Sequence, residues 1–154
     1  MRRFLFCLCA LLSLGMLPGT QAATGRVIKV LPQYLDLEGH HAISPSLYDR
    51  DAYQFYLREH PDKRSGMRFA LQWKVKGGVF EPLTLRVELR GPPQESSAKE
   101  LVLETQVLPG NRFSQWTSLV LEGDAFRQFG EVTAWRATLW EGKQLLSEQE
   151  SFLW

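Results

Sequence analysis

The chain has 154 residues, of which 44% are hydrophobic, and its 18 basic and 17 acidic side chains leave a formal net charge of +1. A balance this even provides no basic stripe to steer nucleic acid or an anionic membrane surface, so nucleic-acid binding is excluded at the outset. The length fits one domain rather than two, with a core large enough to fold on its own.

The first segment reads as an address rather than as part of the domain. Met1-Arg2-Arg3 is a short basic start, Phe4 to Leu17 is an apolar run, and Pro18-Gly19 breaks it ahead of Thr20-Gln21-Ala22. That three-part pattern predicts a secretory signal peptide over residues 1–22, cleaved after Ala22 or, as the second choice, Ala23. A spanning helix needs about 20 apolar residues, and this run is shorter, so no membrane span is expected after cleavage. Cys7 and Cys9 sit early in the apolar run, too far forward for a lipid-modified cysteine. Losing residues 1–22 of 154 leaves 132 residues with no cysteine, and losing Arg2 and Arg3 leaves 16 basic against 17 acidic side chains, a net charge of −1. The expectation is a secreted protein, periplasmic or extracellular, and its lack of disulfides fits a bacterial envelope better than a eukaryotic surface.

The mature region then alternates. Arg26 to Leu37 reads as a first strand, and Pro32 within it suits an edge position. The alternation stops between Glu38 and Gly66. There Ser46 and Asp49 form a capping pair for an amphipathic helix of about three turns over residues 46–59, ending near His60 because Pro61 follows. Tyr48, Ala52, Phe55 and Tyr56 follow helical spacing on one side, and Arg50, Gln54 and Arg58 form a polar stripe.

From Met67 to Val75 every odd position is large and apolar, and Leu83 to Arg90 repeats the alternation. Each predicts a strand with one wet face and one buried face. Further strands are expected at Glu100–Leu108, Phe113–Glu122, Glu131–Trp140 and Gln144–Trp154. The loop Gly91–Ser97 and the turns at Pro109-Gly110-Asn111 and Glu141-Gly142 separate them, and Asp124–Gly130 reads as one helical turn. About seven strands and one inserted helix give the expected fold class: an all-β, immunoglobulin-like or fibronectin-type antiparallel sandwich, without the Cys…Trp…Cys signature of antibody domains.

No catalytic motif is present: the chain has no Gly-x-Ser-x-Gly, His-Glu-x-x-His, Gly-x-Gly-x-x-Gly or phosphate-binding loop. No cofactor, metal or catalytic residue is therefore assigned. Asp36-x-Glu38-x-His40-His41 has metal-ligand residue types, but Gly39 interrupts it and no second ligand pair supports it. Glu148 and Glu150 would stand about 7 Å apart on the last strand, yet they read more simply as its wet face, paired with Arg86 and Arg136.

Aromatic residues carry the stronger signal. Trp73 and Trp135 fall on core positions, whereas Trp140, Phe152 and Trp154 fall on the opposite parity. The favoured expectation is that a neighbouring loop or the inserted helix covers them, the alternative being an outward patch of the kind that stacks on sugar rings. In the insert, Tyr48, Tyr53 and Tyr56 with His40 and His41 either line a recognition surface or plug one end of the sandwich. The expected function is a non-catalytic binding module for a protein partner or an envelope complex, the alternative being a carbohydrate- or cell-wall-binding module. Amino-terminal sequencing of the exported protein is expected to begin at Ala23; a start at Met1 would refute the cleaved leader.

Overall fold

The computed structural model describes residues 23–92, 99–110 and 113–154. The leader predicted over residues 1–22 lies outside the described residues, as do most of the loop from Gly91 to Ser97 and Asn111 of the following turn. The elements run β1 (Thr24–Asp36), α1 (Leu47–Glu59), a 3-10 turn (Pro61–Lys63), β2 (Arg64–Lys76), β3 (Leu83–Arg90) and β4 (Glu100–Val107). They continue with β5 (Gln115–Glu122), α2 (Gly123–Phe129), β6 (Ala134–Glu141) and β7 (Gln144–Glu150). The seven described strands form two antiparallel sheets, one of order β1-β2-β5 and one of order β4-β3-β6-β7.

Alternation explains how the sheets meet. Phe69, Leu71 and Trp73 of β2 face Leu83, Leu85, Val87 and Leu89 of β3, with Leu119, Leu121, Ala137 and Leu139 filling between them. Fully burying a side chain of this kind stabilises by about 1.5–3 kcal/mol. The Trp73 indole is buried on the same terms as an aliphatic residue because its Nε1–H donates to Thr117 Oγ1 at 2.9 Å. Thr117 stands opposite Leu71 in the register, two residue pairs from Trp73 and so on the same face, and both groups reach the bond without leaving the sheet.

The two flanks of the sandwich differ. On one side, β1 approaches β7: Val27 N donates to Ser147 Oγ at 3.0 Å. Gly25 lies so close to β7 that a Cβ there would stand 2.7 Å from that of Leu146. On the other side β5 hands the chain to β6 of the second sheet through α2, which has seven residues instead of the single turn expected, and Phe129 from it enters the core.

The helix α1 departs from expectation in the face it buries. Its buried and half-buried residues are Arg50, Tyr53, Gln54 and Leu57, while Tyr48, Ala52, Phe55 and Tyr56 are exposed. The helix therefore docks along much of its polar stripe, and its apolar side faces solvent. The cause is the edge of β1. Tyr34 has a free backbone N–H and C=O there, and an unpaired backbone group away from water costs about as much as a lost hydrogen bond. Gln54 satisfies both: its Oε1 accepts from Tyr34 N at 2.7 Å and its Nε2 donates to Tyr34 O at 2.9 Å. Arg64 fastens the other end, donating to the carbonyls of Leu57 and Arg58 while its guanidinium lies 4.0 Å from the centre of the Tyr34 ring. A cation on the last carbonyls of a helix also complements its dipole.

Leu57 is the apolar anchor of this arrangement and has no accessible surface. Leu57→Ala is expected to destabilise the protein by about 2–5 kcal/mol, read from urea unfolding. A loss below 1 kcal/mol would show that α1 is not part of the cooperative unit.

Candidate functional site

Tertiary structure separates the sequence-predicted residues into three places. Tyr53, His40 and His41 gather where β1 ends. Tyr48 and Tyr56 stand on the outer side of α1. Trp140, Phe152 and Trp154 belong to the second sheet and its following turn.

The end of β1 is organised by Asp36, which is buried. Gly39 takes a positive φ of 83°, which lets the chain turn back so that His40 N and Glu38 N both donate to Asp36 Oδ1, at 2.7 and 3.0 Å. Tyr53 Oη donates to Asp36 Oδ2 at 2.6 Å. Burial pushes the Asp36 carboxyl up, but the bonds from Tyr53, His40 and Glu38 outweigh it and hold the group below the usual carboxylate value. The same bond, with burial second, pushes the Tyr53 phenol up to about 12. Among the described residues no group of three His, Cys, Asp or Glu side chains is placed to hold a metal ion. Asp36 has its oxygens engaged within the protein, and the His40 ring is mostly in solvent, 3.8 Å from it.

His41 lies differently. Burial lowers its pKa, and the neighbouring positive charges of Arg68 and Arg50 lower it further. Arg68 Nη1 donates to His41 Nδ1 at 3.2 Å, which requires that nitrogen to be unprotonated. The outer side of α1 is more open: Tyr48 is 81% exposed and Phe55 61% exposed, with Ile43 and Leu47 exposed beside them. Tyr56 is held by neighbours, stacking on Tyr53 at 6.2 Å and on His60 at 4.2 Å.

On the outer face of the second sheet the tryptophans are half-buried. The expectation that the last strand runs to Trp154 is corrected: β7 ends at Glu150 and the chain turns. Ser151 causes the turn, its N–H donating to Trp135 O and its Oγ accepting from Trp135 N, so that the period of two is lost. Phe152 is left fully exposed, and Trp154 folds back so that Arg90 and Arg136 lie 3.9 and 4.8 Å from its ring centre. Trp140 donates from Nε1 to Thr138 Oγ1, with Arg86 5.7 Å from its ring. The ion pairs are corrected too. Arg136 pairs with Glu88 and Arg86 with Glu104, across β3, in place of Glu148 and Glu150. Positive guanidinium groups occupy the π surfaces that a stacked sugar ring would need.

Among the hollows that the described residues leave, one lies at an end of the sandwich and one along the edge of β1. One, of about 880 Å³, lies between the β2–β3 and β4–β5 connections and is bordered by Val75, Val79, Pro109 and Phe113. The other is a groove of about 490 Å³ between α1 and the edge of β1. It includes Arg50, Gln54 and Arg58, residues the sequence presents only as a solvated stripe. No helix among the described residues is long and apolar enough to cross a membrane. No protein-family model, curated protein or solved structure matches this chain.

The Tyr53–Asp36 bond sets two pH windows. Tyr53 is raised, so its contribution is complete below the unfolded phenol value of about 10 and is lost as the pH climbs through about 12. Asp36 is lowered, so its contribution is complete above the unfolded value of about 3.9 and is lost as the pH falls below it. Tyr53→Phe is expected to cost about 1–3 kcal/mol at pH 7 and to flatten the alkaline decline. Urea unfolding at stepped pH measures both, and an unchanged alkaline limb would refute the assignment.

Proposed function

We propose that this protein is an exported, non-catalytic module of immunoglobulin-like or fibronectin type that binds a partner protein through the outer side of α1. The strand order supports the fold type. Antibody constant domains place the first, second, fifth and fourth strands in one sheet and the third, sixth and seventh in the other. Here the fourth strand has joined the third, and the rest of the plan is kept.

The observation that carries the functional reading is the reversed docking of α1. Leu47, Tyr48 and Phe55 are large exposed side chains on a helix whose position is fixed by Gln54, Tyr53 and Leu57, and Ile43 is exposed in the segment before it. Contiguous exposed apolar surface on a rigid element marks an interaction site. Tyrosine and phenylalanine are efficient contact residues because they offer large area for little conformational entropy. The absence of a catalytic motif in the sequence agrees with a binding role. The guanidinium groups over Trp154 and near Trp140 favour a protein partner over a sugar ring.

The test is photo-crosslinking in the organism that makes the protein, from Tyr48→p-benzoylphenylalanine and Phe55→p-benzoylphenylalanine. A discrete protein adduct is expected at both positions. Their replacement in Tyr48→Asp with Phe55→Asp is expected to abolish partner binding while stability stays within about 0.5 kcal/mol per site, as for other exposed positions. Failure to form an adduct from either position, with the folded protein present, would overturn the proposal. A change in tryptophan fluorescence on adding polysaccharide would instead favour carbohydrate binding.

A further inference from the structure

Among the described residues two arginines, Arg50 on α1 and Arg68 on β2, have no carboxylate partner. Arg50 Nε and Arg68 Nε are both buried and make no hydrogen bond. Neither guanidinium lies within 4.0 Å of a carboxylate among the described residues, although four such contacts are formed elsewhere. Arg68 has one bond, to the His41 ring, which accepts it through an unprotonated nitrogen and so supplies no negative charge. Both side chains are half-buried, so the Nε–H and not the whole guanidinium is withdrawn from water, and a buried donor left unpaired costs about 1–3 kcal/mol. Buried donors left unpaired in a folded protein call for an explanation, and an absent anion is one of the ordinary ones.

The surroundings say which kind of anion. Arg50 opens into the groove between α1 and β1, where Lys29 and Arg58 supply two further cations and Asp51 is the single acid. Apolar side chains alternate with these charges on both walls: Leu31 follows Lys29 on β1, and Leu47 and Phe55 flank Arg50 and Arg58 on α1. Phe55 belongs both to this groove and to the exposed apolar side of the helix, so the two surfaces are continuous.

We propose that the groove between α1 and β1 receives an extended acidic segment of the partner protein, with a carboxylate seated on Arg50 and apolar side chains against Leu31 and Phe55. The inference rests on the protein-partner reading and specifies its chemistry. Arginine is suited to such a seat because its planar fork meets a carboxylate through two parallel bonds. The pairing also gives the contact an electrostatic component that salt weakens.

The experiment uses the mature protein and a fluorescein-labelled hexapeptide of alternating glutamate and leucine, with the lysine–leucine hexapeptide as control. Fluorescence anisotropy is expected to report binding of the acidic peptide alone, weakening as salt is raised. The Arg50 Nε–H resonance of the ¹⁵N-labelled protein, assigned by its loss in Arg50→Met, is expected to shift on peptide binding. That variant keeps the apolar stem and is expected to weaken peptide binding at least tenfold while leaving the melting temperature equal or higher. Arg58→Met, at an exposed position that poses no folding risk, is expected to weaken binding several-fold. Equal binding of both peptides, an unmoved Arg50 resonance, or a melting temperature several degrees lower in Arg50→Met with binding unchanged would each overturn the proposal. So would polygalacturonate binding through the same arginines when the acidic peptide does not bind. A crosslinked adduct at Tyr48 that persists undiminished in Arg50→Met would overturn the acidic groove alone and leave the protein-partner reading standing.

Discussion

One side-chain amide settles how this molecule presents itself. Gln54 binds both the N–H and the C=O of Tyr34, as a neighbouring strand would. Its Nε2 also donates to His41 O at 2.8 Å, so the same group holds the segment that leads into the helix. The rotation of α1 about its axis follows from this. With Gln54 against β1, Leu57 falls into the core and Tyr53 onto Asp36, and the side carrying Tyr48 and Phe55 can only point outward. Hydrogen bonding outranks apolar burial here because Tyr34 belongs to an edge strand. Its backbone groups have a fixed demand, whereas an exposed tyrosine forgoes only part of its transfer free energy.

The same device protects the edge. A strand edge with free backbone groups invites pairing with another chain, and proteins blunt it with proline, bulges or a covering element. Along β1 the register shifts between Val27 and Lys29, Pro32 lacks an N–H, and Gln54 occupies Tyr34. The helix thus closes the edge to strand addition and replaces it with a surface of side chains, in which specificity can be written residue by residue. The groove beside it belongs to that surface, since Arg50, Gln54 and Phe55 all lie on it.

Charge is distributed in a corresponding way. On the outer face of the four-stranded sheet Arg86, Arg90 and Arg136 each meet a glutamate on a neighbouring strand, and they lie beside Trp140 and Trp154 as well. That face is internally matched, with its cations and aromatic rings largely engaged with one another. Around α1 the matching is incomplete, and burial lowers the Arg68 pKa with no carboxylate within 4.0 Å among the described residues. The contrast between a satisfied face and an unsatisfied one is the ground on which a partner is proposed for the side of α1.

Sequence alone determined the strands, because alternation is a local property: from Leu83 to Arg90 each side chain's face follows from its parity. It also located the helix, through Ser46, whose side chain accepts from Asp49 N, and through Pro61, which follows the cap at His60. It did not determine which side of that helix would be buried. Helical spacing separates an apolar side from a polar one but cannot register the demand of a backbone edge twenty residues away, at Tyr34. Nor did it tell solvated arginines from the stranded pair: Arg50 and Arg68 are 18 positions apart and become neighbours of His41 only when α1 folds against the sheet. The turn at Ser151 escaped for a related reason, since its hydrogen-bond partner is Trp135 on the adjacent strand. Local pattern fixes the elements; the face each one turns to solvent depends on hydrogen bonds and charges that meet only in three dimensions.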